Sequence, residues 1–536
     1  MLGCAVFCLY GATDGSFAAD WDLVIRHGTI LDGTGKEGFP GEVAVKDGRI
    51  TQVGKVTGNG TKEVDATGLM VSPGFVDIHT HAEDILKGKD AENFIRMGVT
   101  TVIVGNCGAS ILNVAGFLED IQKGGVAINV GTLIGHNAIR GQVMGGSFMR
   151  PPTDSELAGM KQMVDQAMND GAFGLSTGLI YLPGKYAKTE EIIELARVAA
   201  AHHGIYTSHV RDEQEGLIDS MKEAFRVGRE AGIPVELSHF KLSGNLIYPQ
   251  EAASVTFLER ARGEGLAAKV VAAFQSAQQD GVKVTADLYG YSAATIFVDR
   301  LLPAFAREGG TEAMQHRLAE PTERSRIADE MKRELQQSGR ADFSHVVIVT
   351  ARRYKSIQSL PIPEAARERR GNNSLESQID LILSLAQNGG ATVIVYENNE
   401  ADLLPLLRLP ETMIASDSGA FQGKGEMRHP RNYGSAARIL ARYVRKEKQL
   451  TMPDAIRKMT SLPATTFQLK DRGEIRSGAW ADLVVFDPAR VQDNSTYGSP
   501  NQAATGFRAV IVNGVITAEN DQENEARAGK PVRMGK

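Results

Sequence analysis

Eight short apolar or β-branched runs recur between residues 74 and 419: "GFVDIHTH", "VTTVIVGNCG", "VAINVGTLIGH", "AFGLSTGLIY", "IYTSHVRDE", "PVELSHFK", "VKVTADLYGY" and "TMIASDSG". Between them lie stretches such as "TEEIIELARVAAAHH" and "LIDSMKEAFRVGREAG", whose apolar residues return at helical spacing. Strands that alternate with helices are joined by crossovers and lie parallel, and eight such units close into a (β/α)8 barrel of the TIM type. The expected fold class is therefore α/β with a barrel over 73–469.

The flanks obey another grammar. From Trp21 to Val71 the pattern is short, alternating and rich in turns, with Asp32-Gly33 and Asp47-Gly48 as hairpin signals. The same pattern returns in "GEIRSGAWADLVVFDP" and in "FRAVIVNGVIT", where Asn513-Gly514 is a further hairpin signal. A small β-sandwich built from both chain ends, 21–72 and 470–536, is expected. The connection from Ser292 to about Glu411 is too long for one helix. It carries charged helical sequence and two more strand-like runs, "HVVIVT" and "ATVIVYEN", so an insertion in the barrel over about 292–411 is expected.

Composition excludes some classes of function. A formal charge of -6 carries no signature of nucleic-acid binding, and no run approaches the ~20 apolar residues of a membrane span. Cys4, Cys8 and Cys107 cannot build a disulfide framework. Residues 1–20 combine an apolar run with "SFAA" before Asp20 but lack a basic start. Two readings stay open for this segment: a bacterial-type export signal leading to the periplasm, or an uncleaved tail on a cytoplasmic protein.

The barrel frame gathers the polar residues. His79 and His81 close the first strand, Cys107 the second, His209 the fifth, His239 the sixth and Asp417 the eighth. Parallel barrel strands bring all these ends to one rim, where active sites are built. Imidazole, thiolate and carboxylate are ligand types for Zn²⁺, which lowers the pKa of a bound water to roughly 7. Asp417 can take the water proton and pass it to a leaving amine, so amide hydrolysis is the expected chemistry. Asp77 is expected to fix an imidazole tautomer.

Taken together, "GFVDIHTHAED", "GNCG", "GAFGLSTGLIYLPGKYA", "SHVRDE", "ELSHFK", "IASDSG" and "HPRNYG" resemble the N-acyl-D-amino-acid deacylases, or D-aminoacylases, of the amidohydrolase superfamily. The resemblance implies zinc-dependent hydrolysis of a small N-acyl-D-amino acid to a carboxylate and a free D-amino acid. It implies one zinc held tightly by Cys107, His209 and His239, and a second, weaker site at His79 and His81 that shares the cysteine. Asp417 would be the general acid/base. Lys241, a tyrosine from Tyr289 or Tyr291, and Arg431 would hold the substrate carboxylate, and Tyr181 would lie near the scissile carbonyl. Gly290 stands where a proline is expected in this resemblance, and a looser backbone is expected there.

Two rivals remain. A cyclic-amide hydrolase of the dihydroorotase or hydantoinase kind shares the barrel but generally carries a carbamylated lysine at a strand end, and no lysine ends the fourth run. A catalytically silent scaffold would be expected to lack part of the ligand set, which is complete here.

Overall fold

The structure, a computed structural model, describes residues 19–145, 149–213, 216–241, 257–351, 353–396, 400–420 and 429–535. The segment read as an export signal or tail lies almost wholly outside them. Among the described residues no helix is long and apolar enough to cross a membrane.

The barrel strands are β1 (Phe75–Asp77), β2 (Val99–Val104), β3 (Asn129–Thr132, continued by Ile134–Gly135), β4 (Gly174–Gly178), β5 (Ile205–His209), β6 (Val235–Leu237), β7 (Val284–Leu288) and β8 (Thr412–Ile414). Parallel pairing runs β1-β2-β3 and then β3-β4-β5-β6-β7-β8. A parallel bridge from Thr80 to Ser418 joins β1 to β8 and closes the ring. The strands are buried along almost their whole length, as expected where helices cover the outside of a parallel sheet. Every one of the eight runs read from sequence supplies a barrel strand.

The outer helices follow from local chemistry. In Asp154–Asp170, Thr153 and Glu156 form a reciprocal capping box, Gly171 ends the helix in the left-handed region, and Met160, Val164, Ala167 and Met168 make the buried stripe. Helix His136–Met144 is tied to helix Thr189–Ala201 by a buried cluster. Glu191 accepts from His136 Nε2 at 2.8 Å and from Arg140 Nε at 3.0 Å. Burial alone would raise the Glu191 carboxyl; His136 and Arg140 outweigh it and hold it below its ordinary value. Its contribution to stability is therefore present above the usual carboxylate pKa of about 4.3 and is lost as pH falls through the lower folded value. Replacing Arg140 by Met removes the permanent cation from that buried carboxylate and leaves His136 beside it, with side-chain exposures of 0% and 4% in the parent pair. Denaturant unfolding at neutral pH is expected to show a loss of about 3 kcal/mol.

Both chain ends build one nine-stranded sheet that wraps into a β-sandwich. Its centre is the antiparallel pair between Met70–Pro73 and Leu483–Phe486, and its core includes Ile25, Val45, Val71, Leu483, Val485 and Ile511. Asp47-Gly48 and Asn513-Gly514 take the paired positive φ angles of tight hairpin turns. Asp32-Gly33 does not: Asp32 accepts from the amide and hydroxyl of Thr34, and a longer loop leads to the strand at Phe39. The last residues leave the sandwich. Gly529, Lys530 and Val532 bond the backbone of Val126 and Val130, where β3 begins, at the end of the barrel opposite the polar rim.

Between β7 and β8 an antiparallel sheet orders Ala293–Phe297, Ala391–Tyr396 and Val346–Ala351 beside helices that include Pro321–Gln337 and Leu375–Gln387. It has its own apolar core around Met331, Ile348 and Ile382. The following helix, Glu400–Arg408, packs on the helix after β6 and belongs to the barrel. The inserted unit thus ends before this helix, short of the boundary at about residue 411 expected from sequence.

Candidate metal centre

Cys107 Sγ lies 3.4 Å from His79 Nε2, 3.6 Å from His209 Nδ1 and 3.5 Å from His239 Nε2. With Zn–S near 2.3 Å and Zn–N near 2.0–2.1 Å, ligand atoms on a tetrahedral site stand about 3.6 Å apart. All three separations are close to that edge length. Burial alone would raise the Cys107 thiol; the charges of His79 and His239 and hydrogen bonds from His209 and His239 hold it well below its ordinary value. A buried thiolate among imidazoles is a donor set suited to Zn²⁺. Among the described residues, buried His209 Nε2 and His239 Nδ1 make no well-formed hydrogen bond, and the Glu213 carboxylate stands 3.7 and 3.3 Å from them.

Among the described residues, three overlapping groups have ligand atoms close enough to hold an ion: His79, Cys107 and His239; His79, His81 and Asp417; and His209, Glu213 and His239. The five ligands expected from sequence are thus brought together, and Glu213 joins them. It approaches His239 Nδ1 at 3.3 Å and Lys241 Nζ at 3.3 Å. Sequence reasoning gave Glu213 no role, although it stands inside the quoted "SHVRDE", four residues after His209.

The backbone is specialised where the chemistry lies. Cys107, His239 and Asp417 have φ of 54°, 35° and 52°, a region sparsely occupied by residues other than glycine and costing about 1–3 kcal/mol each. The surroundings enforce it. Ser176 on β4 donates its hydroxyl to the Gly105 carbonyl and accepts from the Gly108 amide, clamping the turn that carries Cys107. A Cβ on Gly178 would stand 2.2 Å from the Cys107 carbonyl oxygen, so "GLSTG" shapes the rim by close packing. Across β1 and β8, the Asp417 amide donates to His79 O and the His81 amide to Ser418 O.

Asp77 departs from its expected role. Its carboxylate accepts from the backbone amides of His79 and Ser416, joining β1 to β8. The partner of His79 Nδ1 is Asp287, at 2.9 Å with both side chains fully buried, and the other Asp287 oxygen accepts from the His239 amide. A carboxylate within the strand "VTADL" was the available signal, because a buried charge requires partners. Asp287→Ala is expected to lower metal affinity by about 10–100-fold in chelator competition, since one residue orients two ligands.

Asp417 approaches His81 Nε2 at 3.3 Å and receives Arg431 Nη1 at 2.6 Å. Burial would raise its carboxyl; Arg431, then His81, outweighs this and keeps it well below its ordinary value. Arg431 lies 4.8 Å over the Tyr289 ring. Its amide donates to His429 Nδ1 while His429 Nε2 donates to Ala293 O, so the histidine of "HPR" anchors the backbone that carries Arg431. Tyr181 packs edge-on against His209 with centroids 4.6 Å apart. Lys241, Tyr181, Tyr289, Asp417 and Arg431 all line one cavity of about 620 Å³ that opens beside the cluster.

Tyr291 does not. The chain turns after Leu288, with the Tyr291 amide donating to Tyr289 O, so the two tyrosines diverge instead of sharing a strand face. Tyr291 donates to Asp493 at 2.8 Å and packs against His429 and Tyr497 from the C-terminal part of the chain. Nor is the backbone at Gly290 loose: its carbonyl accepts from Arg438 and Tyr443.

The amidohydrolase family profile matches residues 62–367 and 414–518. D-aminoacylase of Alcaligenes xylosoxydans xylosoxydans is 31% identical over 95% of this chain and 97% of its own length. The chain belongs to the D-aminoacylase family of amidohydrolases. Within this family, the N-acyl-D-aspartate deacylase of the same organism is 30% identical over 96% of both chains. The crystal structure of N-acyl-D-glutamate deacylase from Bordetella bronchiseptica, complexed with zinc and a phosphonate mimic of the tetrahedral intermediate, superimposes with a TM-score of 0.77 at 28% identity, covering 96% of this chain and 99% of that one. A D-aminoacylase structure with a binuclear metal centre, described by one-metal activation and second-metal attenuation, gives the same TM-score at 30% identity over 96% and 100%. This D-aminoacylase-family chain thus shares the barrel-and-sandwich fold of these relatives.

Proposed function

We propose that the protein hydrolyses N-acyl-D-amino acids to a carboxylate and the free D-amino acid, using zinc held by Cys107, His209 and His239. The observation that carries this reading is the set of imidazole nitrogens around Cys107 Sγ at tetrahedral-edge distances, beside an ionised Asp417. When bound, zinc supplies polarisation of the amide carbonyl and acidification of water. His79 and His81 form the weaker site sharing Cys107.

The remaining work falls to the chain's own groups. Asp417 receives a proton from the attacking water on its carboxylate and returns it to the leaving nitrogen. Arg431 holds Asp417 with one nitrogen and has further N–H donors for the substrate α-carboxylate, which Lys241 and Tyr289 also face. Tyr181 stays protonated, because burial and the nearby Cys107 thiolate raise its hydroxyl, and so it can donate to the oxygen of the scissile carbonyl. Asp287 and Ser176 position the ligands without touching substrate.

A substrate panel tests the reading. Zinc-dependent release of free D-amino acid from N-acetyl-D-amino acids, with little release from the L-enantiomers, is expected. Ring opening of hydantoin or dihydroorotate without such release would favour the cyclic-amide alternative, against which stands β4, whose sequence Gly174–Gly178 contains no lysine. Loss of both activities with stoichiometric zinc would favour a silent scaffold.

A further inference from the structure

The cavity of about 620 Å³ has two cationic ends with different bookkeeping. Beside the metal cluster, Lys241 faces Glu213 and Arg431 faces Asp417, so each cation has a carboxylate. Toward the inserted unit stand Arg300 and Arg307, with Lys185 at the exposed rim, and no carboxylate among the described residues closes an ion pair with any of the three. Arg300 is fixed 4.3 Å over the face of Tyr181, whose ring packs on His209. Its guanidinium is therefore one aromatic ring removed from the metal ligands.

Arg307 supplies a second, independent sign. Its Nε is buried and has no acceptor among the described residues. A buried donor without a partner is destabilising, so such a group in a cavity wall is built for an acceptor that arrives from outside. Burial, then the charge of Arg300, pushes Arg307 down to about 10, and burial, then the charges of Arg307 and Arg300, lowers Lys185 below its ordinary value. An anion between the three would relieve their mutual repulsion. Glu334 and Asp212 line the same cavity but do not pair with them.

We propose that the outer end of this cavity binds a second carboxylate of the substrate, so that the preferred substrates are dianionic N-acyl-D-amino acids recognised by Arg300 and Arg307, with Lys185 at the entrance. The proposal rests on the deacylase reading above and narrows it. Overall identity does not make this choice, since D-aminoacylase and N-acyl-D-aspartate deacylase match the chain almost equally, at 31% and 30%. The second carboxylate can belong to an acidic D-side chain or to the far end of a dicarboxylic acyl group; both present the same planar anion to a guanidinium fork.

The test is kcat/KM of the zinc-loaded full chain in three arms: N-acetyl-D-glutamate against its neutral isostere N-acetyl-D-glutamine, N-acetyl-D-aspartate against N-acetyl-D-asparagine, and N-succinyl-D-leucine against N-butyryl-D-leucine. A preference of about tenfold or more for the dianion in at least one arm is expected, the size of one charge-assisted hydrogen bond. The arm that shows it identifies the source of the carboxylate. Arg307→Met and Arg300→Met should each reduce that ratio to about threefold or less, while Arg307→Lys retains most of it. Salt near 1 M, where the Debye length is about 3 Å, should shrink the ratio in the unsubstituted protein, a readout independent of any variant's folding. Equal rates within all three arms, or a ratio that survives both Met substitutions, would overturn the proposal while leaving the deacylase reading intact. Failure to hydrolyse any N-acyl-D-amino acid would instead overturn the deacylase reading itself.

Discussion

Asp417→Asn is expected to keep the zinc content of the unsubstituted protein and to lower kcat by about 10²–10⁴-fold, the range contributed by a positioned general acid/base. The substitution separates chemistry from architecture. Asparagine is nearly isosteric and is among the residues that best tolerate a positive φ, so the strained turn at φ 52° is kept. Its amide oxygen can still accept from Arg431, which lies 2.6 Å from the carboxylate it replaces. What disappears is the capacity to take a proton. Zinc content by plasma emission and kcat on the best N-acetyl-D-amino acid are the two measurements; substantial residual turnover would remove Asp417 from the mechanism.

Cys107→Ala has the other large expected effect, and it runs in the opposite order: metal is lost first and activity with it. The sulfur lies within 3.6 Å of a nitrogen on each of His79, His209 and His239, so its removal takes a ligand from both proposed sites at once. Zinc content should fall to well below one equivalent per chain after dialysis, with kcat/KM reduced by about 10³-fold or more, comparable to the loss of an essential member of a catalytic unit. The unfolding midpoint is the control: cysteine already occupies φ 54°, so alanine there adds no new backbone strain and the fold should be kept. Unchanged zinc content in the folded variant would contradict the assignment.

The barrel was legible because buried parallel strands read as β-branched runs, and because each chemistry-bearing residue stands where its run stops. Cys107, His209, His239, His79, His81 and Asp417 could therefore be assembled from one topological rule. That rule expires at the strand ends, and the misreadings at Tyr291 and Glu213 lie beyond them. Tyr291 follows a turn that alternation does not describe, and Glu213 reaches the cluster along a loop after β5. Asp287 was missed for another reason. Its partners, His79 and the His239 amide, come from other strands, and a single strand does not reveal what a neighbouring register places beside it. Asp493 and Tyr497 lie some two hundred residues from Tyr291 and Ala293, which they brace, a distance at which local pattern carries no information.

The sandwich joins Met70–Pro73 to Leu483–Phe486, and this pairing has a consequence for biosynthesis. At ~5–20 residues per second, the ribosome needs roughly 20–80 s to deliver the partner strand after the first has emerged. Throughout that interval the growing chain presents an open strand edge that invites pairing with other chains. The nascent protein is thus most exposed to aggregation while its barrel is being made, and chaperone supply and translation rate should govern the yield of soluble protein.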